Sequence, residues 1–251
     1  EDSVLPAIAG GPGSRTVRVR TMGMTETELE ERLKEAVPRE AFDDLSIISS
    51  PRSVDVYLPP SFSDSDIVDR VLRRLGSYVY TVGDESLEEV VVDMLISSGK
   101  SIATAESVTG GLVASTIVDV PGASGTLLEG FVTYSNEAKK RELGVSEESL
   151  ARFGAVSEAV CIEMAVGARQ RAHADFALST TGIAGPSGGS AEKPVGLCYL
   201  GLASGSGVYC RRAVFPQDRR MVRELAVYYL LDMLRLDLAG ERGRLKAFKR
   251  A

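Results

Sequence analysis

The feature that most constrains this chain is the regular alternation of strand and helix patterns after Ser86. Ser86 and Glu89 form a capping-box pattern that predicts the start of a helix, and short apolar segments then alternate with longer amphipathic ones. Such alternation is typical of a sheet covered by helices on both faces. The last two predicted strands follow each other directly, which implies a local antiparallel pair and hence a mixed sheet. We therefore predict a three-layer α/β/α sandwich with a mixed sheet. The predicted strands span residues 101–105, 130–134, 176–181, 195–203 and 208–215, and the predicted helices 109–118, 136–143, 146–153, 157–174 and 217–236.

A smaller pattern precedes this one. Residues 15–82 follow the order strand, helix, strand, strand, helix, strand, which predicts a small α+β ferredoxin-like (split βαβ) domain. Residues 1–14 have no period and are rich in glycine and proline, so we predict a linker there. With 83–238 as the α/β domain, residues 239–251 remain as a basic tail that we expect to be frayed. The cations of this tail are Arg242, Arg244, Lys246, Lys249 and Arg250.

Composition narrows the classes of function. The 251 residues carry a net charge of -6 and a pI near 5.1, which argues against a nucleic-acid binder because such proteins usually have a basic face. No apolar run is long enough to cross a bilayer and no charged-then-apolar leader is present, so we expect a cytoplasmic protein without a membrane span. The cysteines Cys161, Cys198 and Cys210 lack paired metal spacing and His173 is the only histidine, so we expect reduced thiols and no metal. We interpret the small domain as a spacer rather than an RNA-binding module.

Ser107 stands where the first predicted strand of the α/β domain passes into a helix. A serine at such a turn is exposed, and backbone N–H groups at the positive end of the helix can hold an anion. Taken alone, its commonest role is that of an N-cap. The pair Gly110 and Gly111 favours a role in a site over a role as a cap. Glycine in a first helical turn costs about 1 kcal/mol relative to alanine, so its presence indicates close approach of a ligand to the backbone. With a lysine able to take its proton, Ser107 would support Ser–Lys acyl-transfer chemistry.

The end of another predicted strand brings Tyr134 and a run of cations into the next helix. One of the adjacent residues Lys139, Lys140 and Arg141 can face inward. A buried lysine beside a helix N-terminus has its pKa lowered by desolvation and by the helix dipole, so it can act as a base near neutrality. Tyr134 is either a core residue at the end of the strand or part of the site. Asn136 is either the cap of the following helix or a ligand contact, and we favour the cap.

A glycine-rich segment, TGIAGPSGG from Thr181 to Gly189, follows a further predicted strand. It matches neither a P-loop nor a dinucleotide fingerprint. It is therefore either a flexible loop or a nest of backbone N–H groups for a phosphate or ribose. Arg219 begins the last helix and can pair with a phosphate through its forked guanidinium. Arg220 and Arg223 are close enough along the chain to compete for this role.

Seven short segments occur in order and at compatible spacing between about Ser86 and Leu236. They are TAESVTGG (104–111), DVPGAS (119–124), GFVTYSNEAKKRELGV (130–145), GAVSE (154–158), TGIAGPSGG (181–189), EKPVG (192–196) and FPQDR (215–219). Together they resemble the C-terminal domain of the CinA family of competence/damage-inducible proteins, which is similar to stand-alone PncC-type nicotinamide mononucleotide deamidases. The family usually has cysteine where this chain has Val108, a difference that we expect to affect local packing only.

The resemblance implies an amidohydrolase that converts nicotinamide mononucleotide to nicotinic acid mononucleotide and ammonia. It implies that Ser107 attacks the amide carbon, that Lys139 takes the serine proton and that the Tyr134 hydroxyl joins their hydrogen-bond network, with no metal or organic cofactor. Backbone donors at the helix start after Ser107 would hold the oxyanion. The expected substrate-binding residues are Thr109, Gly110, Gly111, Asn136, Thr181, Gly182, Gly185 and Arg219.

The resemblance also concerns the longer protein. It implies an N-terminal molybdopterin-binding-like domain that is absent from this chain, and we expect a homo-oligomer. A second hypothesis, from a different functional class, is a non-catalytic module that holds a pyridine nucleotide and serves a competence- or DNA-damage-associated protein. The enzyme is favoured because every expected catalytic side chain is present. Ammonia release from nicotinamide mononucleotide discriminates the two.

Overall fold

The computed structural model describes residues 16–62, 66–245 and 249–250. The chain divides into two compact units, and the division falls between Val90 and Val91. This division lies inside helix α4 (Leu87–Ser98), whereas the sequence places the domain boundary earlier, after residue 82. The linker predicted for residues 1–14 lies outside the described residues.

The first unit has the predicted ferredoxin-like order of elements. Its four-stranded sheet has the order β2-β3-β1-β4, and all neighbouring strands are antiparallel. This order is that of a split βαβ fold, so the prediction is confirmed. The only α-helix in its described part that the sequence missed is the single turn α2. The elements are β1 (Val17–Thr21), α1 (Glu26–Ala36), α2 (Arg39–Phe42), β2 (Ser46–Ser49), β3 (Val54–Leu58), α3 (Ile67–Leu75) and β4 (Val79–Val82).

One face of this small sheet forms the core of the first unit. Val19 and Val56 lie on the covered face, and they belong to one buried cluster with Leu29 and Leu33 of α1 and Val71 of α3. Residues three and four apart on a helix share a face, which explains why these two amphipathic helices pack on the same side.

The second unit contains a six-stranded mixed sheet with the order β10-β9-β8-β7-β5-β6. Strand β5 is parallel to both β6 and β7, and the pairs β7–β8, β8–β9 and β9–β10 are antiparallel. The predicted mixed sheet is therefore confirmed. After α4 the elements are β5 (Ile102–Glu106), α5 (Leu112–Val118), β6 (Leu127–Val132), α6 (Asn136–Leu143), α7 (Glu147–Phe153), α8 (Glu158–Arg171), β7 (Phe176–Gly182), β8 (Leu197–Ser204), β9 (Gly207–Val214), α9 (Arg219–Leu238), α10 (Arg242–Leu245) and β10 (Lys249–Arg250).

Helices cover both faces of this sheet. Ala103 and Ala177 belong to a buried cluster with Val160 and Met164 of α8, and Leu143 of α6 joins it. Because successive strand residues point to opposite faces, the side chains next in sequence to these alanines point away from α8. On that opposite face, α9 contacts α5, β8 and β7. The expected three-layer α/β/α arrangement follows.

The basic tail is ordered where the structure describes it. Arg244 of α10 donates to the Asp232 carboxylate at 3.1 Å, and Arg235 contacts the same carboxylate at 2.6 Å. Asp232 is 1% exposed, and a buried carboxylate needs such partners. Residues 249–250 then pair with β9 as a short strand. The expectation of a frayed tail is therefore wrong for these segments, because it considered the tail without its tertiary partner.

The three cysteines are free and buried. Burial, with Cys161 close by, raises the pKa of the Cys198 thiol to about 12, so this thiol is protonated and unreactive near neutrality. Within the described ranges, no group of three or more His, Cys, Asp or Glu side chains could hold a metal ion. The described helices also include none that is long and apolar enough to span a membrane.

Candidate active site

Ser107 is the first residue after β5. Residues 107–111, which we call the nucleophile loop, connect this strand to α5. The Ser107 N–H donates to the carbonyl of Thr180 on β7 at 3.0 Å, which fixes the start of the loop. The helix begins at Leu112, later than predicted, because Gly110 and Gly111 have left-handed φ angles of 62° and 95°. Gly111 is the N-cap, so Ser107 is not a capping residue.

Lys139 points from α6 to Ser107. Its Nζ lies 3.0 Å from Ser107 Oγ, and it donates to the carbonyl oxygens of Thr133 at 2.7 Å and Tyr134 at 3.3 Å. The residue is 1% exposed, and this burial lowers the pKa of its amine from 10.5 to about 8. A substantial fraction is therefore unprotonated at mildly basic pH, as a general base requires.

The two neighbouring cations point elsewhere. Lys140 lies 3.7 Å from Glu147, and Arg141 lies 2.5 Å from Glu142, in both cases at the surface. Of the three candidates, Lys139 is the one that faces inward.

Tyr134 and Asn136 differ from their predicted arrangements. The structure places the carbonyl of Tyr134, and not its hydroxyl, beside Lys139, and the Tyr134 residue is 65% exposed. Ser135 is the N-cap of α6, since its Oγ accepts from the Ala138 N–H at 3.1 Å. The prediction that Asn136 caps this helix is therefore wrong, because the helix begins one residue earlier than a cap at Asn136 requires. Asn136 is exposed in the first turn.

Glu106 is a residue of the site that sequence reasoning missed. Its carboxylate accepts from the N–H groups of Gly111 at 2.9 Å, Val113 at 3.0 Å and Ala114 at 2.9 Å. The expectation that the donors of the helix start hold an oxyanion is therefore wrong for these three groups. A signal was present in the sequence, since an acidic residue at the end of an apolar strand and before a helix N-terminus is suited to bind that terminus.

Other donors remain near Ser107. In the described part of the chain, the N–H groups of Val108, Thr109 and Gly110 have no hydrogen-bond acceptor. The side chain of Thr109 is engaged, because its Oγ1 lies 2.6 Å from Oγ1 of Thr180. The middle of the nucleophile loop thus contains three N–H groups that no described group accepts, of which that of Gly110 lies in an exposed residue and those of Val108 and Thr109 in buried ones.

The glycine-rich segment after β7 begins with residues that have structural roles. Thr181 is 1% exposed, and its hydroxyl donates to the carbonyl of Ala155 at 2.8 Å. A Cβ on Gly182 would lie 2.6 Å from the carbonyl oxygen of Leu197. Close packing therefore explains these two residues without a ligand. Gly185 contributes its carbonyl to a contact with α9.

Three arginines on α9 were candidates for binding the phosphate of a ligand. Arg219 donates to the carbonyl of Gly185 at 3.0 Å, and Arg223 donates twice to the carbonyl of Thr109, at 2.6 and 3.1 Å. Arg220 instead pairs with Glu224 on the exposed side of the helix. Residues four apart share a helix face, so Arg219 and Arg223 lie together and link α9 to the glycine-rich segment and the nucleophile loop.

Comparison with known proteins gives consistent results. The family model described as the CinA C-terminal domain matches residues 84–238. A protein of Caldicellulosiruptor saccharolyticus named for competence-damage induction is 44% identical over 86% of this chain and 55% of its own length. A CinA-like protein of Desulfovibrio desulfuricans is 43% identical over 96% of this chain and 59% of its own length. The chain thus spans a little more than half the length of these relatives.

The solved structures agree with this result. The crystal structure of the competence/damage-inducible protein CihA from Agrobacterium tumefaciens is 40% identical, with a TM-score of 0.57, and covers 63% of this chain and 99% of its own. A CinA superfamily protein from Escherichia coli is 33% identical, with a TM-score of 0.58, and covers 64% of this chain and 98% of its own. From the extent of the family match and the identity of these relatives, we conclude that this chain belongs to the CinA family.

Proposed function

We propose that the second unit is an amidohydrolase that converts nicotinamide mononucleotide to nicotinic acid mononucleotide and ammonia. The observation that carries the proposal is the 3.0 Å contact between Ser107 Oγ and the buried Nζ of Lys139. The segments that resemble nicotinamide mononucleotide deamidases support the choice of substrate. Ser107 is the nucleophile in this proposal and Lys139 the general base.

The surroundings of Lys139 favour proton transfer from Ser107. A neutral amine has two N–H donors and one lone pair. The carbonyls of Thr133 and Tyr134 accept the two N–H bonds, so the lone pair is directed toward Ser107 Oγ. The serine O–H can then donate to the amine, which is the arrangement that a general base needs before attack.

The reaction follows in two steps. Ser107 Oγ bonds to the carboxamide carbon as its proton passes to Lys139, and the oxyanion accepts hydrogen bonds from the free N–H groups of the nucleophile loop. The C–N bond then breaks, and Lys139 returns the proton to the leaving nitrogen to give ammonia. Water next attacks the acyl-enzyme with Lys139 again as base, which releases the carboxylate product and restores Ser107. No step requires a metal or organic cofactor.

The nucleotide part of the substrate is assigned to the arginines of α9 that contact the site loops. We assign the 5′-phosphate to Arg219 and Arg223, whose remaining donors can form charge-assisted hydrogen bonds. Gly110, Gly111 and Gly185 would allow the substrate to approach the backbone closely, and Asn136 would be a polar contact to the substrate from α6. Tyr134 orients Lys139 through its carbonyl, and a further role for its hydroxyl is tested by a variant below.

The direct test is ammonia release from nicotinamide mononucleotide by the purified chain. Ser107→Ala should abolish release while binding of the nucleotide, measured by calorimetry, is retained, because the phosphate contacts lie elsewhere. Ser115→Ala is the matched control, since Ser115 is exposed on α5. Nucleotide binding without ammonia release by the wild-type chain would favour the non-catalytic binding module instead.

Three further properties belong to the whole protein and are proposals here. We propose that it acts in the cytoplasm, that it forms a homo-oligomer and that its longer form carries an N-terminal molybdopterin-binding-like domain. Sedimentation velocity of the chain would measure the oligomeric state.

A further inference from the structure

Glu106, the last residue of β5, has a buried side chain that the proposed reaction leaves without a role. Its carboxylate is 1% exposed, and it accepts the N–H groups of Gly111 and Val113 at Oε2 and of Ala114 at Oε1. A buried carboxylate is costly unless it is fully hydrogen-bonded. These three donors satisfy it, and they fix the point at which the nucleophile loop joins α5.

The backbone of the same residue holds the base side of the site. The carbonyl of Glu106 accepts from the N–H of Thr133 at 2.9 Å, and the carbonyl of Thr133 accepts from Lys139 Nζ at 2.7 Å. Ser107 follows Glu106 directly in the chain. Glu106 thus connects the segment that carries the nucleophile with the segment that orients the base.

We propose that Glu106 is the positioning residue of this site, an inference that rests on the proposed function. Its carboxylate anchors the end of the nucleophile loop, so that the free N–H groups of Val108, Thr109 and Gly110 are held ready as oxyanion donors. The donors of the helix start are not available for this purpose, because the carboxylate already uses them.

Two conservative side chains fail to reproduce this anchor, for different reasons. Glutamine has the same length, but it replaces one acceptor oxygen with an NH₂ donor, so at least one of the three N–H groups loses its acceptor. Aspartate keeps the charge but is one methylene shorter, so it cannot reach the same donors. Loss of activity in both variants would therefore show that neither the length of the side chain nor its negative charge is sufficient alone.

The experiment compares wild type, Glu106→Gln and Glu106→Asp in two assays. The first is turnover of nicotinamide mononucleotide. The second is labelling of Ser107 by a fluorophosphonate, which also places a phosphoryl oxygen at the oxyanion donors but needs no nicotinamide. We expect kcat and the labelling rate to fall by about 10- to 1,000-fold in both variants, as when an oxyanion donor is lost. We expect KM to stay unchanged, because Arg219 and Arg223 are not altered. The midpoint of the pH profile should also stay unchanged, because the contacts of Lys139 remain.

Controls distinguish positioning from loss of the fold. Glu129→Gln alters an exposed carboxylate on the neighbouring strand β6 and should leave both rates unchanged. Amide hydrogen exchange should accelerate for residues 111–114 in Glu106→Gln and remain unchanged across α6. If neither Glu106 variant folds, the side chain acts on stability and the positioning role is rejected.

The remaining outcomes separate the two proposals. Wild-type labelling and turnover by a folded Glu106→Gln variant would overturn the positioning role. Slowed labelling of this variant, with no ammonia released by wild type, would refute the proposed substrate and support the positioning role. Absence of Ser107 labelling in the wild-type chain would refute both.

Discussion

Lys139 experiences two opposite influences on its charge. Hydrogen bonds to the carbonyls of Thr133 and Tyr134 favour the ammonium form, whereas burial disfavours it. Burial prevails, and the pKa falls from 10.5 to about 8. The residue can therefore be deprotonated within the working pH range of an enzyme while remaining held by acceptors on two sides.

A pH profile tests this assignment. The unprotonated amine is the active base, so kcat/KM should rise with pH below about 8 and level off above it. Lys139→Arg should remain folded but lose turnover by about 100- to 10,000-fold, because a guanidinium stays protonated. Lys140→Arg, on the exposed side of α6, is the control. An active Lys139→Arg enzyme with an unchanged profile would assign the base to another residue.

Tyr134 permits a sharper test of how the lysine is oriented. Since its carbonyl contacts Lys139, Tyr134→Phe keeps this contact, and the midpoint of the pH profile should not move. We expect kcat to fall less than about tenfold, below the range typical of losing a general acid or base. The measurement is ammonia release across pH. A larger loss of kcat would show that the hydroxyl relays a proton, as the family resemblance implies.

Helix α9 carries the two arginines that reach the site loops. Arg219→Ala should raise KM for nicotinamide mononucleotide with little change in kcat, because loss of a charge-assisted hydrogen bond weakens binding by about 2 kcal/mol. Arg223→Ala should raise KM as well and also lower kcat, because it removes two hydrogen bonds to the carbonyl of Thr109 in the nucleophile loop. Arg220→Ala is the matched control, because Arg220 pairs with Glu224 at the surface.

Nicotinamide riboside, which lacks the phosphate, completes this test. For this substrate the Arg219 variant should behave like wild type, and the Arg223 variant should retain only its loss of kcat. Equal kcat/KM for the riboside and the mononucleotide in the wild-type chain would mean that the phosphate is not recognised at all.

At the scale of the whole molecule, Asp232 connects the C-terminal segment to the core of the second unit. It is 1% exposed and shared by Arg235 and Arg244. Removing one partner of a buried ion pair leaves charge that is poorly compensated. Such an arrangement makes the stability of the unit depend on a short helix that follows the family domain.

Arg244→Ala measures this dependence. We expect it to lower the free energy of unfolding by about 1 to 3 kcal/mol, less than for a fully isolated charge because Arg235 remains. Urea unfolding followed by circular dichroism provides the measurement, with Arg212→Ala on the exposed part of β9 as the control. Equal stability of the two variants would mean that α10 contributes no net stabilisation.

The sequence by itself determined the position of the turn that carries Ser107 and the order of the elements, apart from α2 and the C-terminal α10 and β10. These features depend on local patterns, namely the spacing of apolar residues and the glycines and caps that end each element. The capping box at Ser86 and Glu89 is one example, with hydrogen bonds of 2.7 and 3.3 Å in the structure. Boundaries shifted where glycine conformations decided them, as at Gly110 and Gly111.

Only the tertiary structure decided which groups meet. That Lys139 rather than its neighbours faces Ser107 and that Arg223 binds the carbonyl of Thr109 depend on contacts between segments far apart in the chain. A local pattern does not specify such partners, because a charged side chain on a helix is compatible with solvent or with a buried acceptor. The energy of burial, which exists only in the folded state, selects between the two.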